Sequence, residues 1–428
     1  MKCAESRAEF DNQMRAAGVA LPVADDTSVL GEPVRLGRWT TPNRLVALPM
    51  EGCDASTDGT PGELAFRRYE RMAAGGAGII WLEACAVVPD GRSKPTAFWL
   101  HEKNVGVYRE LVQRMRQAAR AAMGHEILCI LQLTHAGRYS RPDGTPKPVV
   151  AHHSPLLDAF EKLPADYPVV TDAWLDRLQD DFVRAARLAA AAGFDGVDVK
   201  ACHGYLVSSL LGAHRREGRF GGDYANRTRL LKEMIARIRD DQPGLLLASR
   251  LNLFDGIAHP YGFGVKPGGG ADEPDLGEPL RLARELADLG LPLLSVTLGF
   301  PRFDSRHGRP SADGRGENPL VGIARFARLA GAVQHAVPGM AIVNAALAWL
   351  GPHVPRVAAG LVAAGDARLI GQGRNSIAYP DAPRDLLRGA GFDPHQACVA
   401  CSGCARLLRA GAPVGCIVRD RGTYGGRG

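Results

Sequence analysis

Four cysteines stand close together near the end of the chain, in "CVACSGC" and "GCIV", at Cys398, Cys401, Cys404 and Cys416. Thiolates ligate soft metal centres, so the spacing C-x2-C-x2-C-x11-C suits either a cubane iron–sulfur cluster or a tetrahedral zinc, with unliganded thiols as the plain alternative. A second group lies in "VKACHGYL", where Lys200, His203 and Tyr205 bring an ammonium, an imidazole and a phenol to the end of an apolar run. Those types can hold a developing oxyanion and deliver a proton. Gln132 in "LQL" offers an amide with both donor and acceptor, Arg250 in "LLLASR" and Arg374 in "GQGRNS" offer permanent cations, and Glu51 in "PMEGC" offers a carboxylate. Each has a structural alternative: an amide bonding backbone, an arginine pairing a carboxylate, a core histidine, a packing tyrosine.

Residues scattered so widely need elements that bring their ends together. Short apolar runs recur along the chain: "RLVALPM", "AGIIWLEA", "EILCILQL", "FDGVDVK", "GLLLASRL", "LPLLSVTL", "GMAIVNA" and "DARLIGQG". Amphipathic stretches separate them, such as "TDAWLDRLQDDFVRAARLAAAAG", whose apolar residues fall three and four apart and whose Gly193 closes the helix. Continuous apolar strands alternating with helices predict a parallel (β/α)8 TIM barrel, in which chemistry sits at the C-terminal ends of strands. The polar residues above fall at those ends. The Gly/Pro-rich "GFGVKPGGGADEPDLG" reads as a flexible loop near the same face.

Composition narrows the function classes. The chain has 428 residues, 46% hydrophobic and 23% charged, with a formal net charge of +6, enough apolar material for a large core. No Lys/Arg block or aromatic-basic stripe points to nucleic acid, and no apolar stretch is long enough for a membrane span. The opening "MKCAESRAEFDNQMRAAG" lacks the apolar region of a secretory signal, which predicts a cytoplasmic address. There the 9 cysteines are not expected to form disulfides. Cys53 and Cys202 read as inert buried thiols.

The ordered set "LEACAVVPDGR", "LQLTHAGRYS", "HGYLVSSLL" and "GRFGGDYANR" resembles the old yellow enzyme family of flavin mononucleotide (FMN) oxidoreductases, from "NRLVALPM" at Asn43 to "GRNSIAYPDAP" at Gly373. The cysteine tail resembles the subgroup that includes 2,4-dienoyl-CoA reductase and trimethylamine dehydrogenase, which carries a 4Fe-4S cluster after the barrel. Here the gap between the second and third cysteines is one residue shorter than is usual in that subgroup.

The resemblance implies roles. Pro49, Met50 and Ala84 would line the flavin ring, Gln132 its pyrimidine edge, and Arg250 the N1/O2 locus where charge collects on reduction. Gly373 and Arg374 would meet the phosphate, with Asn344, Ala345 and Ala346 presenting amides where many relatives have a glycine. Lys200 and His203 match a pair that grips a substrate carbonyl, usually His/His or His/Asn, and Tyr205 matches the proton donor. Glu51 follows the Pro-Met pair and faces either the flavin or Lys200.

Three segments are expected: an N-terminal extension (1–35), an FMN-binding barrel (36–395) and a Cys-rich iron–sulfur segment (396–428), with no FAD- or NAD(P)H-binding domain following. The function expected is an ene-reductase that adds hydride and a proton to an activated C=C bond. Alternatives are an amine or C–H dehydrogenase or demethylase that sends electrons out through the cluster, and a non-catalytic electron-transfer flavoprotein subunit. Electrons would come from a ferredoxin, a flavoprotein reductase or NAD(P)H, and self-association is a further expectation.

Overall fold

A computed structural model describes residues 3–308, 310 and 317–426. Eight parallel strands close into a barrel: Leu45–Ala47, Ile79–Ala86, Leu128–Thr134, Gly196–Ala201, Leu246–Phe254, Leu293–Leu298, Ala341–Asn344 and Leu369–Gln372. The last strand pairs with the first through Ile370 and Leu45, which completes the ring. All eight coincide with the apolar runs of the sequence, because strands covered on both faces have no polar face to alternate with.

Helices return the chain between strands. Thr171 caps the helix Asp172–Ala191 by accepting from the Trp174 N–H, and Leu175, Leu178, Phe182, Val183, Ala186 and Ala189 form its buried stripe. Gly193, at φ +85°, turns the chain out of that helix. A hairpin, Val34–Leu36 with Trp39–Thr41, precedes the barrel. It closes the N-terminal mouth: Arg38 bonds the Gly244 carbonyl, and Arg368 donates to the Arg35 carbonyl at 3.1 Å. The chemistry is therefore confined to the other end.

The Gly/Pro-rich stretch, expected from its composition to be a flexible loop, is tied together by its own backbone. Val265 bridges Pro274, Lys266 N–H donates to the Glu273 carbonyl at 2.9 Å, and the Gly270 N–H donates to the Glu273 carboxylate at 2.9 Å. These bonds consume backbone groups that a floppy loop would leave to water.

The cysteine-bearing tail folds back onto the barrel. Arg67 and Arg71 of the helix Glu63–Ala74 both hold Asp420, at 2.7 and 2.9 Å. Val414 N–H donates to the Gly52 carbonyl at 2.7 Å, and Cys398 N–H donates to Asn375 Oδ1 at 3.0 Å. Among the described residues no helix is long and apolar enough to cross a membrane.

Candidate active site

The loops after the strands enclose a cavity of about 490 Å³ at the C-terminal face. Its lining includes Pro49, Met50, Glu51, Ala84, Gln132, Lys200, His203, Tyr205, Arg250, Ala346, Gly373 and Arg374, so the sequence-predicted residues are gathered in one place. A register shift between Leu82 and Ala84 marks the second strand where these two residues part company. Ala84 lines the cavity, while Glu83 meets Arg68 and Tyr69 of the neighbouring helix.

The Asn344 side chain turns into the wall. It does not line the cavity; its Nδ2 donates to the Ala327 carbonyl at 3.4 Å, and its Oδ1 accepts from the Ala345 N–H at 2.9 Å. That bond takes the Ala345 amide away from any phosphate. Ala346 next to it holds φ at +69°, a conformation that favours glycine and costs an alanine roughly 1–2 kcal/mol. The turn thus keeps a glycine-like path without the glycine.

Lys200 and Tyr205 come from the end of the fourth strand, and Glu51 reaches them from the first. The Tyr205 hydroxyl donates to Glu51 Oε1, Lys200 Nζ lies 3.6 Å from that oxygen, and Ser93 Oγ donates to Glu51 Oε2 at 3.0 Å. The Lys200 ammonium also sits 3.4 Å from the centre of the Tyr205 ring. Burial pushes the Tyr205 phenol well above its usual value, and the Glu51 carboxylate adds to the shift. Burial pushes Glu51 up too, but Lys200 and the bonds from Tyr205 and Ser93 outweigh it and hold the carboxyl below its ordinary range. Lys200 is lowered, since burial costs its ammonium more than Glu51 returns. A neutral phenol therefore rests against an ionised carboxylate.

His203 takes φ +65°, and its backbone N–H is held by Asn252 Oδ1 at 3.3 Å. Its Nε2 lies 3.4 Å from Thr297 Oγ1. Burial raises the thiols of Cys53 and Cys202, the latter to about 12, which leaves both inert as expected.

The fit to a flavin can be tested on unsatisfied atoms. Among the described residues, Arg250 Nε and Arg374 Nη1 are buried without a hydrogen-bond partner, and both guanidiniums line the cavity. A buried cationic donor left unpaired is costly, so each is placed for an anionic or carbonyl oxygen. A side chain at Gly373 would come within 3.3 Å of Met50 Sδ, so glycine leaves the cavity open there. The donor set fits the ring and phosphate of FMN.

Asp198 went unnoticed in the sequence. It shares the inward face of its strand with Lys200, two residues away, and a carboxylate in an apolar run was the available signal. It accepts from Gln132 Nε2 at 2.6 Å, Trp81 Nε1 at 3.0 Å and the Arg250 N–H at 2.8 Å. With its amide nitrogen so engaged, Gln132 presents its carbonyl oxygen to the cavity. Burial pushes Asp198 up to about 6, against the bonds from Gln132 and Arg250.

The folded chain therefore binds this proton more tightly than the unfolded chain, whose value stays near 3.8. The resulting stability is complete below about pH 4 and lost as pH rises through about 6, on the order of 2–3 kcal/mol. Asp198→Asn is expected to flatten that part of the profile, measured by urea unfolding at both ends of the window. An unchanged slope would show that Asp198 titrates alike in both states.

Residues 29–262 match the NADH:flavin oxidoreductase / NADH oxidase family, more than half of the chain. The chain belongs to this family. It is the old yellow enzyme family, as the motifs implied, and the chain spans little more than half the length of the first relatives it matches. NADPH dehydrogenase of Halalkalibacterium halodurans is 32% identical over 207 residues, 47% of this chain and 56% of that protein. A Geobacillus NADPH dehydrogenase is 29% identical over 277 residues, 64% of this chain and 73% of its own.

Among solved structures, a 2-naphthoyl-CoA reductase complex superposes with a TM-score of 0.75 at 23% identity, over 92% of this chain and 57% of the other. Histamine dehydrogenase from Rhizobium sp. 4-9 gives 0.70 at 20% identity, over 91% and 52%. An old yellow enzyme homologue from Zymomonas mobilis gives 0.63 at 23% identity, over 85% and 94%. At these identities the structural likenesses speak for the fold.

Of the four tail cysteines, Cys404 lines the cavity. Among the described residues, no three His, Cys, Asp or Glu side chains are disposed as a metal-binding group. Cys398 Sγ accepts from the Ala400 N–H at 3.4 Å and Cys416 Sγ from the Arg419 N–H at 3.3 Å. Ala400 and Ser402 both hold positive φ, at +52° and +57°, between successive cysteines. The helix Gly403–Ala410 lines the cavity through Cys404, Ala405 and Leu408.

Proposed function

We propose that this old yellow enzyme family member is an FMN-dependent reductase of carbon–carbon double bonds conjugated to a carbonyl. The observation that carries the proposal is the buried, protonated Tyr205 phenol beside Lys200 in the cavity that holds the unpartnered Arg250 and Arg374 nitrogens. FMN, when bound, supplies the hydride. Arg374 and the Gly373 backbone hold its phosphate, Gln132 and Arg250 its polar ring edge, and Pro49, Met50, Ala84 and Ala346 its apolar surface. Lys200 and His203 hold the substrate carbonyl oxygen as it gains negative charge. Tyr205 delivers its proton to the α-carbon by turning its hydroxyl from Glu51 to the substrate. Glu51 keeps the phenol protonated until then.

The same proposal gives the four cysteines a 4Fe-4S cluster, a port for electrons from NAD(P)H through a partner reductase or from a ferredoxin. Support comes from the sulfur-directed N–H groups and from the alternating positive-φ residues, a backbone form that makes anion-binding concavities. Purification without oxygen, with flavin, iron and sulfide assayed per chain, is expected to find FMN together with iron and sulfide in cubane proportion. Zinc in place of iron would make the tail a structural knot. Turnover of 2-cyclohexenone with NADPH or reduced ferredoxin tests the reductase function, and inertness with every electron source would favour an electron-transfer subunit.

One observation favours a second reaction. An ionised Glu51 bonded to Tyr205 inside the cavity suits an amine, and oxidation of an amine with electrons leaving through the tail uses the same residues. Reduction of the bound flavin by amines but not by NADPH would select it.

A further inference from the structure

We propose that the cavity mouth receives the carboxylate of an anionic substrate, bound by Arg141 with Lys94 beside it. This names a substrate class for the reductase proposed above and rests on that function. Lys94 belongs to the loop after the second strand and Arg141 to the loop after the third, and the Arg141 N–H donates to the Arg92 carbonyl at 2.9 Å. Both side chains line the cavity. Ser93, next to Lys94, bonds Glu51, so this wall begins at the proton-donating cluster and runs outward.

The charges along it do not balance. Glu51 is the single carboxylate among the described lining residues, and Lys200, Tyr205 and Ser93 already engage it. Nearby, Arg302 takes both oxygens of Glu161, at 2.8 and 3.2 Å, and lies over the Tyr139 ring. Arg141 reaches that same carboxylate only at 3.7 Å, outside hydrogen-bond distance, with its side chain 33% exposed to the cavity mouth. Lys94 makes no ion pair within 4 Å among the described residues. Among the described residues, Lys94 thus faces the opening without an ion pair and Arg141 with only this long one. Burial and the adjacent Arg302 push the Arg141 guanidinium down, a strain that an incoming anion relieves.

The rest of the mouth suits an apolar body. Phe160, 45% exposed, stacks edge-on against Phe303 at 5.3 Å, and Leu408 of the tail helix lines the same cavity. A hydrophobic molecule ending in a carboxylate matches both features.

Benzoate and benzamide have one shape and differ in charge, so they probe the wall without asking for turnover. Calorimetry on flavin-loaded protein is expected to show benzoate binding about tenfold more tightly, with the preference falling as salt rises. Arg141→Gln should remove most of that preference and leave benzamide unchanged, whereas Arg141→Lys should keep most of it. Equal binding of the two ligands, or a preference that survives both Arg141→Gln and Lys94→Gln, overturns the assignment. It is also overturned if Arg141→Gln weakens NADPH relative to NADH and spares benzoate, because the wall would then serve a nucleotide phosphate. A benzoate preference with no alkene reduction would uphold the anion site and sink the reductase alone.

Discussion

Tyr205→Phe is expected to slow reduction of a conjugated alkene by roughly 10²–10⁴, the usual contribution of a positioned general acid. Flavin reduction by the electron donor should change little. The variant removes one oxygen from a ring packed against Tyr139, with ring centres 6.1 Å apart, and under the Lys200 ammonium, so the cavity keeps its shape. What it loses is the proton that rests against Glu51. Rapid-mixing measurements of the two half-reactions separate these effects. A comparable loss in both would take the proton-donor role from Tyr205 and leave it a part in packing.

Arg68→Met is expected to destabilise the protein by about 3–5 kcal/mol, as when one member of a buried ion cluster is removed. Arg68 lies between Asp54 and Glu83, and the three side chains are 5%, 2% and 1% exposed. Gly52 N–H also donates to Glu83 at 2.6 Å, and the Arg68 guanidinium fills the space a side chain on Gly52 would need. Methionine would leave two carboxyls buried without their cation. Asp54 and burial already push Glu83 up, so the damage should shrink as pH falls and the carboxyls take up protons. Urea unfolding of Arg68→Met alone and together with Asp54→Asn and Glu83→Gln provides the check. The triple variant should recover most of the loss, and a single-variant cost below about 1 kcal/mol would mean water reaches the cluster.

The sequence made the barrel legible because each buried strand is an uninterrupted apolar run, and the polar residues that break the pattern fall where the strands end. Tyr205, Lys200, Gln132 and Arg250 could therefore be assigned to one face before their distances were known. The bond between Tyr205 and Glu51 was not among the partners read for Glu51, since the two are 154 residues apart and meet through barrel closure. Asp198 was hidden inside a strand, where its service to Gln132 depends on register with the neighbouring strand, at Gln132 opposite Asp198. The direction of the Asn344 side chain was likewise hidden: a strand's last residue can face either the cavity or the wall, and the Ala327 carbonyl decides it. The tail's docking is set by Asp420 and Val414, neither of which carries a sequence motif.

Val414 N–H on the Gly52 carbonyl ties the tail to the loop that follows the first strand. During synthesis that loop emerges early and must wait, its carbonyl bonded to water, while the remaining strands and helices are made. The cavity gains its final wall only when the cysteine segment leaves the ribosome. A chain cut before this segment would keep its barrel and its arginines, yet leave the cavity open to solvent on that side, so the cavity's enclosure depends on a late-made segment docking on an early-made one.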